Sequence, residues 1–341
     1  MKNRIVRFNK FGSPEVLQIF EEKLKIPNLD EVRIRIKAFG VNQGEVMYRE
    51  GRYVSKPNFP SRLGSEGSGI IDLIGNNNKQ YKIGDEVTII PFLSWDKHGN
   101  WTSDSSNKYG TYGDTAIVPD WTIAKKIPHQ SYEESSAIWA QYLTAWGGLV
   151  YNSNIEKRKC CIFTGASSSA AIGGMQIVKS FGLKAYAISR TLAKKEHLLN
   201  VGYDEVLSLT DPKLEENIMD LTNGIGFDLA YDCVGGEYFI HLLNTAKPQA
   251  LIINYGNLNL HSSNIKISPL LSKRLNIRFH SIFDTMRFQN QREEGINWIN
   301  DKIENRIFEP IISKVFNLED IVEAHKYLED AKHVGKVIVT T

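Results

Sequence analysis

Between residues 156 and 260 the chain alternates short apolar runs with helix-length stretches, and this alternation restricts the fold more than any other feature. Cys160-Cys-Ile-Phe-Thr, Lys184-Ala-Tyr-Ala-Ile-Ser, Phe227-Asp-Leu-Ala-Tyr-Asp and Ala250-Leu-Ile-Ile-Asn-Tyr read as strands. Helices are predicted from about Ala170 to Phe181 and through Ala193 to Asn200. A strand that is apolar along its whole length needs cover on both faces. The pattern therefore predicts an α/β domain, a doubly wound parallel sheet with helices on each side.

The first third has a different period. Val32-Arg-Ile-Arg-Ile-Lys-Ala alternates in steps of two, Gly69-Ile-Ile-Asp-Leu-Ile-Gly is bounded by glycines, and Gly84-Asp-Glu-Val-Thr-Ile-Ile-Pro follows a turn signal. These short strands predict a small β-rich barrel or sandwich. From Glu133 the spacing of Ala137, Ile138, Gln141, Tyr142 and Ala145 predicts a helix leading into the second domain. A C-terminal amphipathic helix is predicted over Leu318 to Lys332, with Asn317 as N-cap and Gly335 as stop, followed by the strand Lys336-Val-Ile-Val-Thr. Asn76-Asn-Asn and the segment Thr102 to Lys108 read as loops, the second long enough to cover something.

Composition narrows the function. A chain of 341 residues accommodates two domains, and 41 basic against 39 acidic residues leave a net charge of only +2. No general attraction to nucleic acid or to anionic lipid follows from that balance, so small-molecule partners are expected. No apolar run approaches the ~18 residues of a membrane span, and the expected location is cytoplasmic. The three cysteines (160, 161 and 233) and eight scattered histidines form no disulfide framework and no zinc-ligand spacing, so no metal is expected.

The strand at Cys160–Thr164 runs into Gly165-Ala-Ser-Ser-Ser-Ala-Ala-Ile-Gly-Gly and then into a helix. Small residues at a strand-to-helix turn let a pyrophosphate approach the unpaired N–H groups of the helix N-terminus, which makes Ala166, Ser167, Ser168, Ser169 and Ala170 candidate cofactor-binding residues. The strict Gly-x-Gly-x-x-Gly spelling is absent, with Ala166, Ser168 and Ala171 at its three positions. A plain packing turn is the competing reading. At the end of the second strand an NAD site expects an acidic residue, but Ser189 and Arg190 stand there, with Lys194 or Lys195 one turn later. A hydroxyl, a guanidinium and an ammonium suit a 2′-phosphate, and the expected cofactor is NADP(H). The competing reading is a solvated helix start.

Eight landmarks recur in order: Gly40-Val-Asn-Gln-Gly-Glu-Val, Leu63-Gly-Ser-Glu-Gly-Ser-Gly, Tyr81-Lys-Ile-Gly-Asp-Glu-Val, Gly110-Thr-Tyr-Gly-Asp-Thr-Ala-Ile-Val-Pro, Tyr142-Leu-Thr-Ala-Trp, Thr164-Gly-Ala-Ser-Ser-Ser, Asp228-Leu-Ala-Tyr-Asp-Cys-Val-Gly-Gly and Gly335-Lys-Val-Ile-Val. Together they resemble the medium-chain dehydrogenase/reductase superfamily, and within it the zinc-free quinone oxidoreductase and enoyl reductase branch. The resemblance implies a GroES-like catalytic domain over 1–127, a Rossmann domain over 128–265, and a segment 266–341 that largely returns to the catalytic domain. It also implies a homodimer through Rossmann sheet edges.

Zinc-dependent members carry a cysteine and a histidine where this chain has Asn42 and Ser65. Without a Lewis acid, reduction of an activated acceptor fits better than oxidation of an alcohol. The resemblance implies that Asn42 and Thr144 lie near the nicotinamide, and that Tyr53 lines the substrate cleft as a proton-donor candidate, with Tyr48 a weaker one. Asn254, Tyr255 and Gly256 would face the cofactor crevice. Ala171 and Leu209 depart from the pattern, in place of a glycine and of a tyrosine near the adenine. The expected function is NADPH-dependent, zinc-independent hydride transfer to a quinone or an α,β-unsaturated carbonyl, with Tyr53 and Asn42 as catalytic candidates. A 2-enoyl thioester reductase is the alternative enzyme, and an NADPH-binding structural or regulatory protein the non-catalytic one.

Overall fold

A computed structural model describes residues 3–77, 80–92, 108–259, 261, 265 and 267–341. Asn78 and most of the Thr102 to Lys108 segment, both read as loop, lie outside the described residues. The chain falls into two units, Met1–Ala140 with Met286–Thr341, and Gln141–Thr285.

The second unit is a parallel sheet of six strands in the order 3-2-1-4-5-6, flanked by helices. Strands Cys160–Thr164, Lys184–Ser189 and Phe227–Asp232 have the bounds read from sequence, while the fifth starts earlier, at Ala246–Asn254. Their apolar side chains pack with Leu214, Ile218, Leu242 and Leu243 of the covering helices. Two strands escaped the sequence reading, Glu205–Ser208 and Asn276–Phe279. Each has only four residues and lies at a sheet edge, where one flank is unpaired and a continuous apolar run is not required. The last one carries the sheet past residue 265, so the chain returns to the first unit at Met286.

The predicted helix after Glu133 is broken into Tyr132–Ser135 and Trp139–Ala145, and it continues as a π-helical turn, Trp146–Tyr151. Gly147 is required there: an added Cβ would come within 2.2 Å of Thr285 Oγ1 and 2.8 Å of His280 Cε1. Such wide turns recur at functional positions.

In the first unit the strand Glu31–Val41 organises a seven-stranded sheet. Its first half pairs with Thr115–Pro119, its length with Gly67–Ile74, and its last residues with Lys336–Thr340, where Val337 lies opposite Val41. The C-terminal helix is shorter than predicted. Leu318–Asp320 is a 3₁₀ turn, the α-helix spans Ile321–Glu329, and Ala331 at φ +52° turns the chain out of it. Gly335, at φ +95°, aims Lys336 into the sheet.

One buried polar group ties this helix to the Gln43–Arg49 helix. Arg49, fully buried, donates to His325 Nδ1 at 3.1 Å, to Glu329 at 2.8 Å and to the Gly12 carbonyl at 3.0 Å. A guanidinium only donates, so Nδ1 accepts and Nε2–H donates to the Tyr112 hydroxyl at 3.2 Å. Burial and the Arg49 charge push His325 down to about 3, well below its ordinary 6.5. The unfolded chain therefore binds a proton that the folded chain refuses between these two values, and stability is lost as pH falls through that window. The ceiling is roughly 5 kcal/mol at 1.36 kcal/mol per unit. We expect the unfolding free energy to fall steeply below pH 6.5, and a His325→Asn variant to show a flatter profile in urea titrations. Equal acid sensitivity in both proteins would contradict this account.

Candidate active site

In the parallel-sheet unit, the turn after Cys160–Thr164 is built for close approach. Gly165 adopts φ +55°, and an added Cβ would lie 2.5 Å from Cys233 Sγ. Ser168 caps the Ser169–Ser180 helix by accepting from Ala171 N–H at 3.3 Å. Ala166 is buried and its carbonyl accepts from the Tyr203 hydroxyl at 3.0 Å, which pins the turn from below. Residues 167–170 stay partly exposed at the helix N-terminus.

The cation expected at the second strand is present. Ser189 ends that strand, with no side-chain hydrogen bond among the described residues. Arg190 is exposed and forms no ion pair among them. Lys194 reaches back to Ser167 Oγ at 2.7 Å, whereas Lys195 is taken up by Glu205 at 2.7 Å, so the structure selects Lys194 of the two. Burial, then the Arg190 charge, lower Lys194 to about 8. A guanidinium, an ammonium and two hydroxyls thus gather at the ends of the first two strands.

The other expected cofactor residues divide. Thr144 is buried and its carbonyl accepts from His280 Nε2 at 3.0 Å, a link that sequence reading missed because the two lie 136 positions apart. Tyr255 turns its ring inward, stacked on Tyr231 with centroids 3.9 Å apart, and burial raises its phenol well above the ordinary value. Gly256 lets that loop close on Cys233, whose carbonyl would lie 3.1 Å from an added Cβ. Asn254 donates to Asp232 at 2.7 Å, and Asp232 also accepts from Thr164 and from the N–H groups of Val234 and Gly235. This unassigned carboxylate fixes two loops at the strand ends.

In the β-rich unit, Asn42 sits at the start of the Gln43–Arg49 helix inside a buried cluster. Its Nδ2 donates to Glu66 at 3.0 Å and to Glu45 at 3.3 Å, and its Oδ1 accepts from Lys336. Both amide hydrogens have acceptors inside the cluster, so Asn42 helps to organise it. Lys336 and Glu66, each 1% exposed, form an ion pair, and the second Glu66 oxygen accepts from Ala140 N–H at 2.9 Å. Gly40 makes room, because a Cβ there would meet Lys336 Cε at 2.5 Å. Glu45 accepts from the Asn42 N–H at 2.7 Å and from both the N–H and the hydroxyl of Ser65, at 3.1 and 2.5 Å. Sequence reading passed over Glu45, Glu66 and Lys336 although all three lie within quoted landmarks; charged residues in apolar or glycine-rich surroundings were the available signal.

This donor set does not fit zinc. An amide and a hydroxyl stand where thiolate and imidazole would bind, and the Lys336 ammonium already occupies the oxygen faces of Asn42 and Glu66. Tyr53 is the free group nearby. Its ring lies over Gly44, where a Cβ would sit 3.7 Å from the hydroxyl, and that hydroxyl has no hydrogen bond among the described residues. Burial pushes its acidity below that of an ordinary phenol. Tyr48, by contrast, bonds Ser61 at 3.3 Å.

Comparison with known proteins agrees with this layout. The sequence profile "Alcohol dehydrogenase GroES-like domain" matches residues 28–129, and the profile "Zinc-binding dehydrogenase" matches residues 201–339. Human quinone oxidoreductase is 25% identical over 342 residues, covering 98% of this chain and 97% of its own. Quinone oxidoreductase 1 of Escherichia coli (strain K12) is also 25% identical, covering 98% and 95%. Among solved structures, an NAD-dependent alcohol dehydrogenase superposes with TM-score 0.89 at 26% identity, covering 99% of both chains. The E. coli quinone oxidoreductase solved with NADPH superposes with TM-score 0.88 at 23% identity, covering 99% and 100%. With a GroES-like β unit, a 3-2-1-4-5-6 sheet and relatives matched along nearly their whole length, the chain belongs to the medium-chain dehydrogenase/reductase superfamily, as an oxidoreductase of its quinone oxidoreductase branch.

Proposed function

We propose that the protein is an NADPH-dependent, zinc-independent reductase of small quinones or α,β-unsaturated carbonyls. The observation that carries the cofactor reading is the Ser167, Ser189, Arg190 and Lys194 cluster, which offers two cations and two hydroxyls to a dianion and no acid to a ribose hydroxyl. The relative solved with NADPH supports it, as do relatives named quinone oxidoreductase. Bound NADPH supplies the hydride; the protein orients the acceptor and excludes water.

The Ser169–Ser180 helix N-terminus holds the pyrophosphate through backbone N–H groups. Tyr53 donates a hydrogen bond to the acceptor oxygen on which negative charge develops, taking the place of a Lewis acid. Because its phenol is a weaker acid than usual, Tyr53 keeps its proton and acts as a fixed donor. The quinone reading is preferred to a 2-enoyl thioester because relatives matched along nearly their whole length are named quinone oxidoreductase.

We further propose a cytoplasmic homodimer formed through the outer edge of the parallel sheet. Strand Asn276–Phe279 has no second neighbour among the described residues, and Phe279 on it and Leu271 and Ile267 on the preceding helix Ile267–Lys273 are 78%, 75% and 70% exposed. An open apolar strand edge invites a second copy. No helix among the described residues is long and apolar enough to cross a membrane.

Two tests follow. Arg190→Ala and Lys194→Ala should each raise KM for NADPH roughly tenfold or more, since a charge-assisted hydrogen bond contributes about 1.5–3 kcal/mol, and should leave KM for NADH within about threefold. NADPH affinity should also decline as pH rises through about 8, where Lys194 loses its charge, while NADH affinity does not. Equal losses for both cofactors would overturn the 2′-phosphate assignment. Light scattering on an eluting column should give a dimer mass for the wild type and a monomer mass for Phe279→Asp; a wild-type monomer would overturn the assembly proposal.

A further inference from the structure

The reduction proposed above consumes a proton as well as a hydride, and Tyr53 is built to keep its own. The buried cluster beneath it holds two carboxylates, Glu45 and Glu66, against one ammonium, Lys336. A buried net negative charge is costly, so the cluster is best satisfied by carrying one proton. Glu66 has its balance in place, with Lys336 on one oxygen and the Ala140 N–H on the other. Glu45 has no cation in contact.

The partners of Glu45 decide where such a proton can go. The N–H groups of Asn42 and Ser65 and the Asn42 amide can only donate to it. Ser65 Oγ, 2.5 Å away, is the one partner that can both receive a proton and release one. Ser65 is partly exposed while Glu45 is buried, which makes Ser65 the outer member of the pair. The titratable and charged groups facing Glu45 from the surrounding elements are Glu66 and Lys336, then Tyr53, with Tyr112 and Arg49 behind. Burial holds the Glu45 carboxyl above the usual carboxylate range.

Resting on the reductase reading, we propose that Glu45 is the proton store of the reaction and that Ser65 hands its proton to the acceptor oxygen. As the acceptor gains hydride from the reduced nicotinamide, its oxygen becomes negative. The Ser65 O–H bond then breaks as the acceptor O–H bond forms, and the Glu45 O–H bond breaks as its proton moves to Ser65 Oγ. The hydroxyl is regenerated and Glu45 is left as a carboxylate, held by its N–H donors until a solvent proton restores it. No electrons beyond the hydride pair are needed.

The test uses the full-length protein with NADPH and a 1,4-benzoquinone. Glu45→Gln keeps the shape and most hydrogen bonds but cannot release a proton. It should lower kcat roughly 100-fold, the low end for general acid catalysis, with KM for NADPH unchanged. The wild-type kcat should fall as pH rises through the Glu45 titration, and this limb should vanish in Glu45→Gln. Ser65→Ala should lose activity likewise, and Ser65→Thr, which restores the hydroxyl, should recover most of it. Independently of turnover, the infrared carbonyl band of a protonated carboxylic acid should be present in the wild type and missing from Glu45→Gln. Absence of that band from the wild type overturns the proton store even if quinones are reduced. Presence of the band in a protein that reduces no quinone or enone would uphold the store and sink the reductase reading. A Glu45→Gln variant that folds, binds NADPH and keeps the wild-type kcat and pH limb would also overturn the proposal.

Discussion

A lysine on the strand that pairs with Glu31–Val41, 294 residues from Asn42 in sequence, completes the β-rich unit. Lys336 enters from the closing strand, pairs with Glu66 and fixes the Asn42 amide, so the end of the chain sets the geometry of a cluster built by its beginning. Gly40 and Gly335 are both shaped by it, one giving space and the other turning the chain to aim the side chain inward. Removing one partner of such a pair strands the other charge without solvent, which is why buried pairs of this kind cost about 3–5 kcal/mol to break. The same cluster bears on what chemistry the position supports: Asn42 and Ser65 offer an amide and a hydroxyl there, beside the Lys336–Glu66 ion pair.

Much of the fold was legible because its strongest signals are periodic. Three strands of the parallel sheet carry apolar runs such as Cys160–Thr164 and were found at their true bounds, since burial on both faces leaves no freedom in residue type. Glu205–Ser208 and Asn276–Phe279 were missed because edge strands answer to one neighbour only. The π-helical turn was missed for a different reason: the space at Gly147 within it is bounded by His280 and Thr285, which no local pattern links to Gly147.

The candidate site was legible where chemistry depends on residue type and opaque where it depends on contact. Ser189 and Arg190 announced themselves by standing in place of an acid, and the structure adds the choice of Lys194 over Lys195 through the Ser167 contact. Asn42 was read as a catalytic candidate near the nicotinamide, and a sequence does not show that its amide hydrogens find acceptors in Glu45 and Glu66. Tyr53 was read as a proton-donor candidate, and only its surroundings show that burial makes its phenol a weaker acid than usual. Glu45, Glu66 and Lys336 were in view throughout, but only their convergence gives them a role.

The central claim is that this oxidoreductase spends NADPH on an activated acceptor without a metal. The most direct test follows the loss of reduced-nicotinamide absorbance with NADPH or NADH against a 1,4-quinone, an ortho-quinone, an enone and a crotonyl thioester, with and without a strong zinc chelator. The account predicts turnover that prefers NADPH, favours the quinones or the enone and is indifferent to chelation. Activity abolished by the chelator and restored by zinc, or a preference for NADH, would contradict it.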